Sequence, residues 1–257
     1  MIQGVKEKPY YNRVALVGIA MYLFIAAVIL VAILIFEPSS AAFPIIIAVV
    51  ASIVGALIYF LKQPWGSVFA VLGGAFGVLF GLDGVALTLS SPQSFFDFAF
   101  TLFILPGGIL ILVAGITGLV QHFKHSTSAT GPAGVTLAIK GGLGVIVALA
   151  IISAVLTVAS IGGLSAAEKE GAETITAEEA KFDTDALTAS ASGTTKIVFK
   201  NDDPYLHTFT IDDLDVDLKV GPGSEKLAEL DSPKAGTYEF YCRVAGHENM
   251  KGILTVQ

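Results

Sequence analysis

The sequence predicts an α-helical membrane bundle of about five spans followed by an all-β Greek-key sandwich. Three observations predict it. The first is hydropathy: 54% of the 257 residues are apolar and only 14% charged, with a mean hydropathy of +0.74. Soluble domains run at about a quarter charged, so an ordinary cytosolic globule is excluded. The second is charge asymmetry. Residues 1–163 carry six bases and four acids, a net +2, whereas residues 164–257 carry nine bases and eighteen acids, a net −9. The third is a change of pattern, from long apolar runs to short alternating ones. Together they divide the chain into a transmembrane helical region (1–163), a small polar linker (164–172) and a soluble domain (173–257).

A helix needs about 20 apolar residues to cross the hydrocarbon, where unpaired backbone groups are costly. Residues 14–36, 41–61, 98–121 and 141–164 each reach this length without one acid or base. Residues 67–89 form a weaker fifth span that carries Asp83, about 24 Å from its start at about 1.5 Å per residue. That puts the carboxylate near the far interface, where it is tolerable; four spans result if the third is re-entrant. Lys6, Lys8, Arg13, Lys62, Lys124 and Lys140 all fall on one side, while the opposite loops around 37–40 and 90–97 have no Lys or Arg. The positive-inside rule therefore predicts a multi-pass cell-membrane protein with a cytoplasmic N-terminus and an extracytoplasmic C-terminal domain. The first span lacks a convincing cleavage site and is expected to be retained.

Within the bundle, b-type haem is excluded because no histidine lies at membrane depth. His122 and His125 flank Lys124 at the cytoplasmic end of the fourth span and read as interfacial polar residues. Gly73, Gly77 and Gly81 form a smooth stripe for close helix contact, within this bundle or against another membrane subunit. Pro106-Gly107-Gly108 predicts a kink, and Asp83 is a weak candidate proton relay.

Beyond the linker, strands are expected at 174–177, 187–191, 195–200, 207–211, 216–220, 225–230, 237–242 and 252–256. Turn signals at Asn201-Asp202-Asp203-Pro204, Gly221-Pro222-Gly223 and Lys234-Ala235-Gly236 separate them. Short strands without a helical period argue for a Greek-key sandwich. Alternation places Tyr238, Phe240 and Cys242 on one inward face, and His207, Phe209 and Ile211 on another.

The chemistry-bearing residues of this domain are few. Its two histidines, one cysteine and one methionine are His207, Cys242, His247 and Met250, the last three within nine residues of one another. A single cysteine in the whole chain excludes an internal disulfide, a CxxC pair, a zinc ribbon, a cysteine-ligated iron–sulfur cluster and c-type haem attachment. A soft thiolate, two imidazoles and a weak thioether suit copper cycling between +1 and +2. Zinc accepts Cys and His but rarely recruits Met; zinc, or a core cluster without metal, is the alternative. The run Asp212-Asp213-Leu214-Asp215-Val216-Asp217 reads as a solvated strand edge, or else as a docking patch.

Residues 173–257 resemble the cupredoxins, the blue (type 1) copper family of plastocyanin- and azurin-like proteins. The resemblance rests on Asn201 and His207 after the 195–200 strand, Tyr241-Cys242, Gly246-His247 and Met250-Lys251-Gly252. It implies a cupredoxin-like sandwich binding one type 1 copper ion. It further implies a trigonal His207, Cys242, His247 set with Met250 as long axial ligand, and one-electron transfer through the exposed edge of His247. The loop reads Cys-x4-His-x2-Met, and Ala245 stands where a proline often precedes Gly-His; both departures bear on the Met250 bond, for which a backbone oxygen is the alternative. A dinuclear copper centre would need a second cysteine, where Gly246 stands. Multicopper oxidases and copper nitrite reductases place histidine beside the cysteine, where Tyr241 and Arg243 stand.

The expectation is therefore not an enzyme but a membrane-anchored carrier of single electrons between redox partners on the extracytoplasmic side. Its partners would be membrane lipid and a redox protein with a basic docking face, such as a cytochrome c or a terminal oxidase subunit. Nucleic acid and small-molecule substrates are not expected. The alternatives are a copper-handling protein for delivery, storage or resistance, and an accessory or redox-sensing subunit of a membrane oxidase complex.

Overall fold

The structure, a computed structural model, describes residues 10–36, 42–82, 85–124 and 133–257. They form two compact units, one from Met1–Asp83 and Ala99–Ala150, the other from Gly84–Phe98 and Ile151–Gln257. Six helices come first: α1 (Tyr10–Phe36), α2 (Ala42–Phe60), α3 (Trp65–Leu82), α4 (Val85–Leu89), α5 (Phe95–Phe123) and α6 (Ala133–Ser160).

Among the described residues, four helical segments are long and apolar enough to cross a membrane: Tyr10–Val31, Trp65–Leu82, Phe95–Phe123 and Val135–Ser160. The second expected span is helical but shorter in its described apolar part, Ile45–Phe60. In the third expected span, 67–89, the described residues are helical over α3 and α4, and the stretch long and apolar enough to cross is Trp65–Leu82. Asp83, His125 and the basic residues Lys6 and Lys8 lie outside the described residues. Large apolar side chains such as Phe24, Leu72, Phe76, Leu79 and Leu137 are exposed, which suits lipid and would be a liability in water.

Close backbone approach in the bundle depends on glycine. A Cβ on Gly77 of α3, or on Gly107 or Gly108 of α5, would meet the Tyr22 side chain of α1. Gly73 faces Val54 of α2, and Gly81 faces Leu105 of α5. The glycine stripe is thus used for packing inside this bundle. Pro106 sits inside α5, which continues through it.

The second unit contains a two-sheet sandwich of β1 (Ala172–Glu178), β2 (Lys181–Phe182), β3 (Ala186–Ala189), β4 (Thr194–Asn201), β5 (His207–Ile211), β6 (Val216–Val220), β7 (Ser224–Asp231), β8 (Gly236–Tyr241) and β9 (Lys251–Val256). One sheet runs β2-β1-β4-β7 and the other β3-β9-β8-β5-β6. β1 and β4 are parallel, as are β3 and β9, and the other pairings are antiparallel. Side chains alternate out and in along β3 and β9, and the inward sets meet in one core. Phe209 lies 5.3 Å from Phe240 and 5.7 Å from Phe199 between ring centroids. Phe182 closes the cluster edge-on at 5.4 Å from Phe240.

Two strand expectations need correction. Among the described residues there are nine strands, because the two-residue β2 follows a tight turn in which Glu179 and Ala180 take φ of 52° and 54°. That left-handed turn has no glycine or asparagine to announce it; the Asp203 carboxylate holds it instead, accepting from the Glu179 and Ala180 N–H groups at 2.8 and 3.0 Å. Nor does β5 have one buried face only: all five of its residues are buried. Its outward Thr208 and Thr210 hydroxyls bond each other at 3.2 Å, and Thr210 donates to Asp217 at 2.9 Å. Within the expected linker, the Leu164 N–H donates to Glu225 of β7 at 2.6 Å, and Lys169 pairs with the same carboxylate.

Where β9 meets β8, a Cβ on Gly252 would collide with the Phe240 ring and the Asp185 carbonyl oxygen. Gly252→Val is expected to cost about 1–3 kcal/mol by overpacking. That lowers the melting temperature of the β-sheet circular dichroism signal by on the order of 5–20 °C. An unchanged melting temperature would show that this contact relaxes freely.

Candidate metal centre

The centre lies at one end of the sandwich, where β5 begins and the β8–β9 loop returns. His207 is the first residue of β5, and Cys242 directly follows β8. His247 lies on the loop between β8 and β9, and Met250 immediately precedes β9. The loop is braced by its own backbone. Cys242 N–H donates to Met250 O at 2.9 Å, His247 N–H to Val244 O at 3.1 Å, and Met250 N–H to His247 O at 2.9 Å. Gly246 takes a φ of +85° to make the turn, a conformation an L side chain rarely adopts.

These bonds bring His207, Cys242 and His247 together, with one ligand atom from each all within 4.8 Å of one another. The Cys242 Sγ lies 3.7 Å from His207 Nδ1 and 3.6 Å from His247 Nδ1. The two imidazoles face each other at 4.7 Å between centroids. Tyr205 stands beside both, at 5.3 Å from His207 and 5.6 Å from His247. His207 is fully buried, Cys242 4% and Met250 1% exposed, while His247 is half-buried. Met250 belongs to the core cluster that includes Cys242 and Val244.

The donor set fits a metal ion. With metal–nitrogen and metal–sulfur bonds of about 2.0 and 2.3 Å, nitrogen and sulfur sit about 3.5 Å apart at tetrahedral angles and about 3.7 Å apart at trigonal ones. The two separations in the structure fall in this interval, toward its trigonal end. The Cys242 thiol is also prepared as a ligand. Burial pushes its pKa up, but hydrogen bonding to His207 and His247 and the Thr208 N–H, 3.4 Å from the sulfur, bring it down to about 6.

Supporting groups orient the donors. With Nδ1 of His207 toward the sulfur, its Nε2–H donates to Asp203 at 2.7 Å, the carboxylate–histidine arrangement that fixes tautomer and ring angle. Burial raises the Asp203 pKa, but His207 and the Ala180 and Glu179 N–H groups outweigh it and hold the carboxyl below its ordinary value. For His207, burial disfavours the charged ring, while Asp203 and Cys242 more than compensate and raise its pKa. Asn201 is fully buried. Its amide donates to Tyr205 O and Val220 O, both at 2.8 Å, and its oxygen accepts from Asp203 N–H at 2.9 Å. The Arg243 N–H donates to Thr208 Oγ1 at 2.7 Å and ties the cysteine strand to β5.

The three clustered residues and Asn201 were legible in the sequence; Asp203, Thr208 and Asp97, whose Oδ2 accepts from Leu206 N–H at 2.7 Å, were not. No local pattern marks Asp203 off from its neighbour Asp202, and only its packing partners set it apart. In the acidic run, Asp212 pairs with Arg243 at 2.8 Å and accepts from Tyr241 OH at 2.7 Å. Asp217 lies 3.5 Å from the same guanidinium.

Residues 145–256 match the family model of the cupredoxin-like domain. Among solved structures, the chain is similar to a dithionite-reduced auracyanin from Roseiflexus castenholzii (21% identity, 34% of this chain and 97% of that one, TM-score 0.31). It is also similar to auracyanin A, a "blue" copper protein from Chloroflexus aurantiacus (23%, 37% and 100%, 0.30). A third similar structure is a heme-copper terminal oxidase dimer (20%, 48% and 97%, 0.31). No curated protein matches the sequence. The chain thus carries a cupredoxin-like domain whose His–Cys–His cluster suits one copper ion, preceded by helices able to span a membrane.

Replacing Asp203 by Asn keeps an acceptor for one backbone donor but removes the charge that orients His207. Copper affinity is expected to fall about 10–100-fold, measured by chelator competition on the full-length protein. Unchanged affinity would mean that the ring is held without Asp203.

Proposed function

We propose that this protein is a membrane-anchored blue copper protein that passes single electrons between redox partners on the extracytoplasmic side. The observation that carries the reading is the clustering of His207 Nδ1, Cys242 Sγ and His247 Nδ1 at a protected end of the cupredoxin-like domain. In this reading these three are the equatorial donors and Met250 the axial one. The chemistry copper supplies here is a one-electron Cu+/Cu2+ exchange, favoured by donors acceptable to both oxidation states.

The chain's own residues then do three things. Asp203 and Asn201 hold His207, and the Thr208 N–H and the two imidazoles stabilise the thiolate. The half-buried His247 offers the route by which an electron leaves. Residues 1–163 anchor the domain and raise its effective concentration near membrane partners, 164–172 lead out of the membrane, and 173–257 hold the copper. A copper-handling role is less well supported, because His207, Cys242 and Met250 are buried and an exchange site needs accessible donors. The role is electron transfer, not catalysis, with a cytochrome c or an oxidase subunit as the kind of partner suited to an acidic domain.

The full-length protein in detergent, loaded with Cu2+, is expected to show an intense thiolate-to-copper band in the visible, absent from Cys242→Ser. A colourless or zinc-preferring wild type would overturn the reading. The charge of −9 on residues 164–257 predicts that reduction by a basic one-electron donor protein slows as salt rises. A rate independent of ionic strength in stopped-flow measurements would remove the charge-guided docking.

A further inference from the structure

The chain from after α3 into the first turn of α5 is grouped with the sandwich. Residues Gly84–Phe98 belong to the same compact unit as the sandwich. Leu87 of α4 packs against the sandwich core, and Lys219 of β6 donates to Ser90 Oγ at 3.2 Å. A Cβ on Gly221 would lie 3.2 Å from the Gln93 carbonyl oxygen. The Ser153 hydroxyl donates to Pro92 O at 2.6 Å. Next to the end of this segment stands Asp97, a half-buried acid in the first turn of α5.

Part of what Asp97 does is local. Ser94-Phe95-Phe96-Asp97 has the spacing of a capping box, and Ser94 Oγ donates to Asp97 Oδ2. An acid at this position also complements the helix dipole. Neither role accounts for the second donor to the same oxygen, the Leu206 N–H at 2.7 Å, 109 residues along the chain. Leu206 directly precedes His207. Two donors converging on one carboxylate oxygen is the pattern of an ionised acceptor, and one of them is the backbone N–H that leads into His207.

We infer that Asp97 is a positioning residue of the copper centre, contributed by the segment before α5: it anchors the backbone entering His207 and places a negative charge that favours Cu2+ over Cu+. The inference rests on the copper reading above and extends it, because the metal's environment is then completed by residues far outside 173–257. A fixed negative charge stabilises the more highly charged oxidation state, so neutralising it raises the reduction potential.

The test compares wild type, Asp97→Asn and Asp97→Ala as full-length, copper-loaded protein in detergent. Asn keeps an oxygen acceptor for the Leu206 N–H but loses the charge; Ala loses both. Asp97→Asn is expected to keep the visible band while the Cu2+ to Cu+ ratio at fixed ambient potential falls about tenfold, about 59 mV for one electron. Asp97→Ala is expected to raise the potential, shift the band, and speed hydrogen exchange in the peptide containing Leu206, in metal-free protein as well. A potential unchanged in Asp97→Asn would overturn the charge role, and unchanged exchange in Asp97→Ala would overturn the anchoring role. A wild type with no Cys242-dependent band would overturn the copper reading and the charge role together, while the metal-free exchange measurement still decides the anchoring role.

Discussion

Two imidazoles and a thiolate within 4.8 Å of one another, largely out of water, are a constraint to which much of the second unit is fitted. Bare donors in such a pocket repel one another's lone pairs and lose hydration, so each needs a partner or a cation. The protein meets this with Asp203. One carboxylate accepts from His207, from Glu179 N–H and from Ala180 N–H. It thereby orients a metal-facing ring and holds a left-handed turn that costs on the order of 1–3 kcal/mol per non-glycine residue. The turn leads into β2, whose Phe182 seals the aromatic core. A ligand's orientation and the closing of the sandwich thus depend on the same side chain.

The residues at this end of the sandwich also differ in access. His207, Cys242 and Met250 are sealed by the core they belong to, whereas His247 reaches toward the surface on a loop braced by three backbone bonds. A loop held that tightly changes shape little, and a centre whose geometry changes little between oxidation states exchanges electrons with little reorganisation. Two acids of the Asp212–Asp217 run are engaged at home, since Arg243 binds Asp212 and Asp217. Surface pairs of this kind contribute little stability, but here they join the residue after Cys242 to the neighbouring strand.

The helical half obeys a different physics. With apolar side chains facing outward and none of the aqueous hydrophobic drive between helices, association depends on close van der Waals fit. Gly77, Gly107 and Gly108 provide it around Tyr22. The acidic sandwich and the apolar helices are nonetheless not separate along the chain, because Gly84–Phe98 lies between helices in sequence and within the sandwich unit in space.

The sequence by itself determined the two-part architecture, because hydropathy over 20 residues and alternation over six are local properties that no distant contact reverses. It also drew attention to His207, Cys242, His247 and Met250, the domain's few soft or imidazole side chains, and the structure brings the first three together. Only the tertiary structure decided that β5 is buried on both faces. It alone decided that Asp203, not its neighbour Asp202, grips His207, and that Asp97 meets Leu206. For the two acids the physical reason is the same: an acid's role is set by which N–H groups and rings surround it, and those include N–H groups 24 and 109 positions away.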